Sequence, residues 1–242
     1  MAARAIGPVD VEALSIAEAV AMIGGAIVSR EPRIFAFANA HSINLARDDP
    51  GFAEVLKGMT VLNDGVGLDL WSKAIHGAPF PANLNGTDLT PIVLAALDKP
   101  TKLFLLGSTD EVCRAAAEAI AARFPMARIV GHHHGFFPAA DEPALAARIR
   151  AAGADLVLAG MGQPRQEYWA RRNAGPTGAV ILCIGAWLDF VSGRIVRAPG
   201  LVRKLRLEWV YRLMLEPRRL GSRYLVGNVR FLFALRKATR RR

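Results

Sequence analysis

Short apolar runs recur along the chain, each closed by a small or polar residue and followed by a segment of helix length. They are RIFAFA (33–38), Val61-Leu62, KLFLLG (102–107), ARIVG (127–131), DLVLAG (155–160) and AVILCIG (179–185). Continuous rather than alternating hydrophobicity means that both faces of each strand are covered. Between the runs lie helical patterns at Ile16 to Val28, Asp110 to Phe124, Pro143 to Ala152 and Gln166 to Asn173. Ser108-Thr109 can cap the second, whose first turn is acidic, and a proline suits the start of the third. Strand and helix in alternation predict an α/β fold with a Rossmann-like, doubly wound, mostly parallel sheet.

In such sheets ligands sit beyond the carboxyl ends of the strands. The ends here carry Asn39, Asp64-Gly65, Gly107-Ser108, Gly160-Met161-Gly162 and Gly185-Ala186. One shared crevice is therefore expected. Asp64 stands before two glycines that let backbone approach a ligand, so it is a candidate general base; an Asx turn or helix cap is the alternative. The amide of Asn39 suits a sugar or uracil edge, while His41, Ser42 and Asn44 fit loop and cap chemistry. Gly107 and Ser108 precede a helix N-terminus that favours an anion, although capping alone explains them too.

The segment GMGQPRQEYW (160–169) carries more chemistry than a turn requires. Its glycines, Gly160 and Gly162, allow close approach, Pro164 fixes the turn, and Gln166 and Glu167 are expected to start a helix with side chains toward the crevice. Arg165 is open between a diphosphate partner and a solvated residue. The run His132 to His134 invites a metal reading, but neighbouring strand residues point to opposite faces and no second ligand cluster has suitable spacing. His134, followed by Gly135, is expected at the ligand or in the loop. No GxSxG elbow and no DxD-like acidic pair is present. Neither metal nor cofactor is expected, so a diphosphate would have to be met by Arg, Lys or backbone donors.

Charge divides the chain. Residues 194–242 hold 15 Lys/Arg against 2 Asp/Glu, or +13, leaving 16 against 19, or −3, for residues 1–193. That asymmetry points to a polyanionic surface. Leu201 to Leu215 and Tyr224 to Leu235 combine apolar residues at helical spacing with arginine, as in interfacial helices on anionic lipid; a core-packed helix with a basic outer face is the alternative. No RNA-binding motif accompanies the charge, so no nucleic-acid partner is expected. No stretch reaches the ~20 apolar residues of a membrane span, and the first residues lack a signal-peptide pattern. Cys113 and Cys183 sit in apolar contexts and are expected to be buried thiols of a reducing compartment. The expected division is an α/β catalytic domain, 1–200, and a helical membrane-associating appendage, 201–242.

Taken in order, NDGVGL, NLNGTDL, LFLLGS, GHHHGFF, GMGQPRQEYW, GAWLDFVSGRIVRAP and LEWVYRLMLEPRRLGSRY resemble the WecG/TagA/CpsF family of bacterial glycosyltransferases, glycosyltransferase family 26. The likeness runs from about residue 33 to 224. It implies an inverting, metal-independent enzyme that moves a sugar (N-acetylmannosamine-type, glucose or uronic acid) from a UDP-sugar to a polyprenyl-diphosphate-linked saccharide, in surface or exopolysaccharide synthesis. It implies a peripheral enzyme at the cytoplasmic membrane face. Asp64 matches the family's proposed base and Gln166 the glutamine close to the reaction centre. Arg212, Arg219 and Arg223 match appendage arginines that enter the active site. Donor and acceptor contacts are expected from Asn39, Gly65, Asn85, Gly107, Ser108, His134, Gly135, Gly160, Gly162, Glu167 and Gly185.

The chain departs from the family pattern at Phe37, where many members carry threonine, at Ala82-Asn83-Leu84-Asn85-Gly86 in place of ERxxG, and at Ser222-Arg223 in place of an arginine pair. Two other classes stay in view. A nucleotide-dependent oxidoreductase would need a dinucleotide fingerprint, which is missing. A basic adaptor on membrane or RNA would need neither Asp64 nor Gln166. An apolar appendage could be covered by lipid or by a second copy in a homo-oligomer.

Overall fold

The computed structural model describes residues 3–200, 202, 208–215 and 217–240; the side chains of Arg212, Arg219, Leu220, Ser222 and Arg223 lie outside the described set. The sheet begins earlier than the apolar runs suggest. Strands β1 (Ala3–Ile6) and β2 (Val9–Glu12) form an antiparallel hairpin about Gly7, whose φ is 61°. Ile6, Val9 and Val11 are buried while their neighbours are more exposed, the alternation of a strand covered on one face. Helix α1 (Ile16–Ser29) follows, held at its start by a capping box between Ser15 and Glu18.

Then come β3 (Ile34–Ala38), α2 (Ala40–Asp48), α3 (Pro50–Lys57), β4 (Thr60–Asn63), α4 (Val66–His76) and α5 (Gly86–Ala95). The second half runs β5 (Thr101–Gly107), α6 (Asp110–Arg123), β6 (Ala127–His133), α7 (Glu142–Ala151), β7 (Leu156–Gly160), α8 (Arg165–Thr177), β8 (Val180–Cys183) and α9 (Trp187–Val191). Spatial order in the sheet is β1-β2-β4-β3-β8-β7-β5-β6, parallel throughout except for the hairpin. The expected α/β, Rossmann-like architecture is what the chain adopts.

Two apolar layers sandwich the sheet. Ile43, Phe52, Trp71, Ile149 and Trp169 bring α2, α3, α4, α7 and α8 onto one face. Ile23, Val93, Cys113, Ile120 and Leu188 bring α1, α5, α6 and α9 onto the other. Neighbours β3 and β8, and β7 and β5, therefore send the chain to opposite faces, while β3 and β4 both send it to the first. From β3 it passes to α2 and from β8 to α9; from β7 it passes to α8 and from β5 to α6. Such reversals leave the carboxyl edge of the sheet open between departing segments, which is where a ligand fits.

Beyond the sheet lie helix Glu208–Leu215, a short helix Pro217–Gly221, a π-helical turn Ser222–Val226 and a longer helix Gly227–Thr239, the tail helix. The tail helix packs on α2 and α4. Phe231 is buried with its ring centroid 5.3 Å from that of Trp71. Asn44 Nδ2 donates to Gly227 O at 2.7 Å, and Arg230 reaches both carboxylate oxygens of Asp48 at 2.8 and 2.9 Å. The tail thus has one face packed on the core and an exposed side that is partly apolar: Leu225, Val226, Val229, Leu232 and Phe233 are all exposed. Among the described residues no helix is long and apolar enough to cross a membrane.

Candidate active site

Asp64 lies one residue past β4. Its N–H donates to Ala38 O at 2.7 Å, extending the β3–β4 pairing and bringing it alongside Asn39, the first residue past β3. Asn39 Nδ2 donates to Asp64 Oδ2 at 3.1 Å. Its Oδ1 accepts from the N–H groups of His41 and Ser42 at 3.0 and 3.3 Å, capping α2. The amide is therefore oriented from both ends. Gly65 takes φ 92°, a conformation that favours glycine, and donates its N–H to Asn83 Oδ1 at 2.9 Å. Helix α4 then starts with no side-chain cap, so its first-turn N–H groups and dipole suit an anion.

These residues form the floor of a cavity of about 320 Å³, within the ~300–1,000 Å³ usual for small-ligand sites. Asn39, His41, Asp64, Asn83 and Asn85 supply polar groups; Trp209, Tyr224, Phe231 and Leu232 from the tail supply an apolar wall. Trp209 and Tyr224 lean together, ring centroids 5.7 Å apart. Asn85 caps α5 by accepting from Asp88 N–H at 2.9 Å, and its Nδ2 donates to Asp88 Oδ2 at 2.8 Å.

Wall and floor are tied by Arg197. Its guanidinium meets Asp88 at 2.9 Å and Glu208 at 3.2 Å, with the Phe190 ring 5.7 Å away. Burial opposes its charge, but hydrogen bonding to Glu208 and the nearby carboxylates outweigh that, so its pKa is raised above the ordinary guanidinium value. Nothing in local spacing marked Arg197, Asn83, Thr87 or Asp88 as site residues; Asn83 sits in NLNG, where a run of amides was the available signal.

The cavity takes in part of the expected crevice. The cavity gathers Asn39, Asp64, Gly65 and Asn85, whereas Gly107, Ser108, His134, Gly135, Gly160, Gly162 and Gly185 lie outside its lining. Several of these glycines serve close packing of backbone on backbone. A Cβ on Gly107 would stand 2.3 Å from Gly160 O, one on Gly160 2.7 Å from Gly185 O, and one on Gly135 3.1 Å from Gly107 Cα. Ser108, at φ 51°, donates to Asp189 Oδ1 at 2.8 Å, and Arg194 lies 3.6 Å from the same oxygen.

The GMGQPRQEYW loop is held by its own side chains. Helix α8 starts at Arg165, which places Gln166 and Glu167 on its inner face, both fully buried and outside the lining of that cavity. Gln166 accepts from Gly162 N–H at 3.1 Å and donates to Glu167 at 2.8 Å and Cys183 O at 3.4 Å. It holds the loop from beneath. Arg165 is spent on Phe137, bonding its carbonyl at 2.7 Å and covering its ring. Gln163 Nε2 reaches across the sheet to Phe37 O at 2.7 Å.

The histidines take different hydrogen-bond partners, although the rings of His133 and His134 lie 4.4 Å apart. His132 faces Asp110 at 3.4 Å, His133 Nδ1 lies 2.8 Å from His134 O, and His134 Nδ1 accepts from Phe136 N–H at 3.2 Å. Both cysteines are buried, as their contexts suggested. Burial pushes the Cys113 thiol up to about 11 and that of Cys183 well above its usual range. The side chains of Arg212, Arg219 and Arg223 lie outside the described residues.

A family model described as Glycosyl transferase WecG/TagA/CpsF family matches residues 4–242. Among curated proteins, the chain is similar to N-acetylglucosaminyldiphosphoundecaprenol N-acetyl-beta-D-mannosaminyltransferases of Staphylococcus aureus, for instance from strains NCTC 8325 / PS 47, COL and MRSA252. Each is 32% identical over 209 residues, covering 84% of this chain and 80% of the relative.

Proposed function

Since the chain belongs to the WecG/TagA/CpsF glycosyltransferase family, we propose that it transfers N-acetylmannosamine from its UDP donor to a polyprenyl-diphosphate-linked N-acetylglucosamine, in synthesis of a cell-surface polymer. The acceptor and the transferred sugar follow the relatives' names. The observation that carries the reaction is the position of Asp64, a carboxylate oriented by Asn39 at the floor of a cavity beyond the carboxyl ends of β3 and β4.

In the proposed reaction Asp64 takes the proton of the acceptor hydroxyl as its oxygen attacks the anomeric carbon. The bond from that carbon to the donor's diphosphate oxygen breaks, configuration inverts, and UDP departs with the electron pair. The uncapped start of α4 and the arginines Arg212, Arg219 and Arg223 would meet the diphosphate charge, with no metal ion. Gln166 acts as a positioning residue for the loop that follows β7. The exposed apolar and basic side of the tail would rest on the inner face of the membrane, making residues 201–242 a membrane-associating appendage.

The test is UDP release from a panel of UDP-sugars, with and without a short-chain prenyl-diphosphate N-acetylglucosamine, in EDTA. Acceptor-dependent release with UDP-N-acetylmannosamine is the expected result. Release with another donor alone would correct the sugar, and silence with every donor would remove the reaction.

A further inference from the structure

Large aliphatic side chains stand exposed at the mouth of this cavity. Val66 and Leu70 are 40% and 48% accessible and lie one helical turn apart on α4, so they share a face. Leu232, 49% accessible, belongs to the tail helix. All three line the same cavity as Asp64. The two helices meet closely between them: a Cβ on Gly67 would lie 3.4 Å from the Phe231 ring. Phe231, backed by Trp71, therefore closes the base of a shallow apolar groove whose sides are Val66 and Leu70 on α4 and Leu232 on the tail helix.

We propose that this groove binds the first isoprene units of the acceptor lipid, those next to its diphosphate. The proposal rests on the acceptor class given above and adds where its hydrocarbon lies. Three features favour that occupant. The amides and carboxylate of the lining are half-buried while its aliphatic side chains Val66, Leu70 and Leu232 are exposed, the polarity order of a sugar diphosphate joined to a prenyl chain that leads outward. A water-soluble acceptor would gain nothing from exposed valine and leucine there. Leu232 is also continuous with the exposed Val229 and Phe233 of the tail helix and with Leu225 in the turn before it, so a chain leaving the cavity would pass from one apolar surface to the next.

The test uses the full chain and a series of sugar-free probes, dimethylallyl, geranyl, farnesyl and geranylgeranyl diphosphate, below their aggregation concentrations. Affinity is read by tryptophan fluorescence and by calorimetry. A groove that covers part of each isoprene should give about a tenfold gain from dimethylallyl to geranyl, levelling once the groove is filled. Leu70→Asn and Leu232→Asn, both at exposed positions, should flatten the gain to about twofold. Leu225→Asn, on the exposed stripe but not on the cavity, should keep it while weakening adhesion to vesicles of anionic lipid. Chain-length dependence unchanged in Leu70→Asn, or lost equally in Leu225→Asn, would overturn the groove. Graded binding by a protein that transfers no sugar would uphold the groove and remove the reaction.

Discussion

Asn39 turns its amide nitrogen to Asp64 at 3.1 Å and its amide oxygen to the first turn of α2 at 3.0 and 3.3 Å. One side chain thus caps a helix and aims a carboxylate. Asp64→Asn should leave fold and substrate affinity intact and lower kcat by about 10²–10⁴-fold. Asn39→Ala should lower kcat and also cost about 1 kcal/mol of stability through the lost cap. Steady-state kinetics with thermal denaturation separates the two, and near wild-type turnover in Asp64→Asn would remove it as the base.

Arg197→Ala would leave Asp88 and Glu208 beside the cavity without their shared cation. The pairs are partly exposed, so a loss of about 1–2 kcal/mol is expected. Amide exchange in helix Glu208–Leu215 should rise and KM for both substrates should increase. Unchanged exchange would mean that the tail is held without this contact.

Glu142 links α7 to α8 through Arg172 and Asn173. The Arg172 hydrogen bond lowers its pKa from the ordinary 4.5, more than burial raises it. The group binds a proton more readily when unfolded, so its contribution is present above that ordinary value and is lost as pH falls through the lowered one. Glu142→Gln should be less stable than wild type at neutral pH, with the gap closing under acid conditions in urea titrations at stepped pH.

Both thiols, held protonated by burial, should resist alkylation in the folded protein at pH 8 and react together once it is unfolded. Counting modified residues by intact mass checks this. Rapid labelling of one cysteine in the native state would contradict its burial.

Glycine-to-alanine changes should split in sign. Gly107 has φ 149° and backbone 2.3 Å from any Cβ, so Gly107→Ala should cost several kcal/mol, ~3 or more. Gly24 lies inside α1 with open space at its Cβ position, so Gly24→Ala should gain about 0.5–1 kcal/mol. Melting temperatures of the two variants are the measurement.

The strands from β3 onward were legible because continuous apolar runs have one economical arrangement, a sheet covered on both faces. The hairpin β1–β2 was not, since strands of four residues carry little periodicity; Gly7-Pro8 was the signal to weigh. Asn39 and Asp64 could be found because strand ends are visible in sequence. Arg197 could not, because its meaning comes from Asp88, far away along the chain. The burial of Gln166 and Glu167 was hidden for a local reason. A polar pair at a helix start suggests a ligand, yet the phase of α8 turns both inward, and only packing reveals that phase.

The tail helix reaches its seat through contacts that span most of the sequence: Asn44 to Gly227 is a separation of 183 residues, and Asp48 to Arg230 one of 182. During synthesis the ribosome delivers Asn39 and Asp64 well before Trp209, Tyr224 and Phe231, which follow more than 140 residues later. A nascent chain can therefore hold a folded sheet and its acid while the opposite wall of the cavity has yet to be made. The cavity that Asp64 lines is thus complete only once the tail helix settles onto α2 and α4.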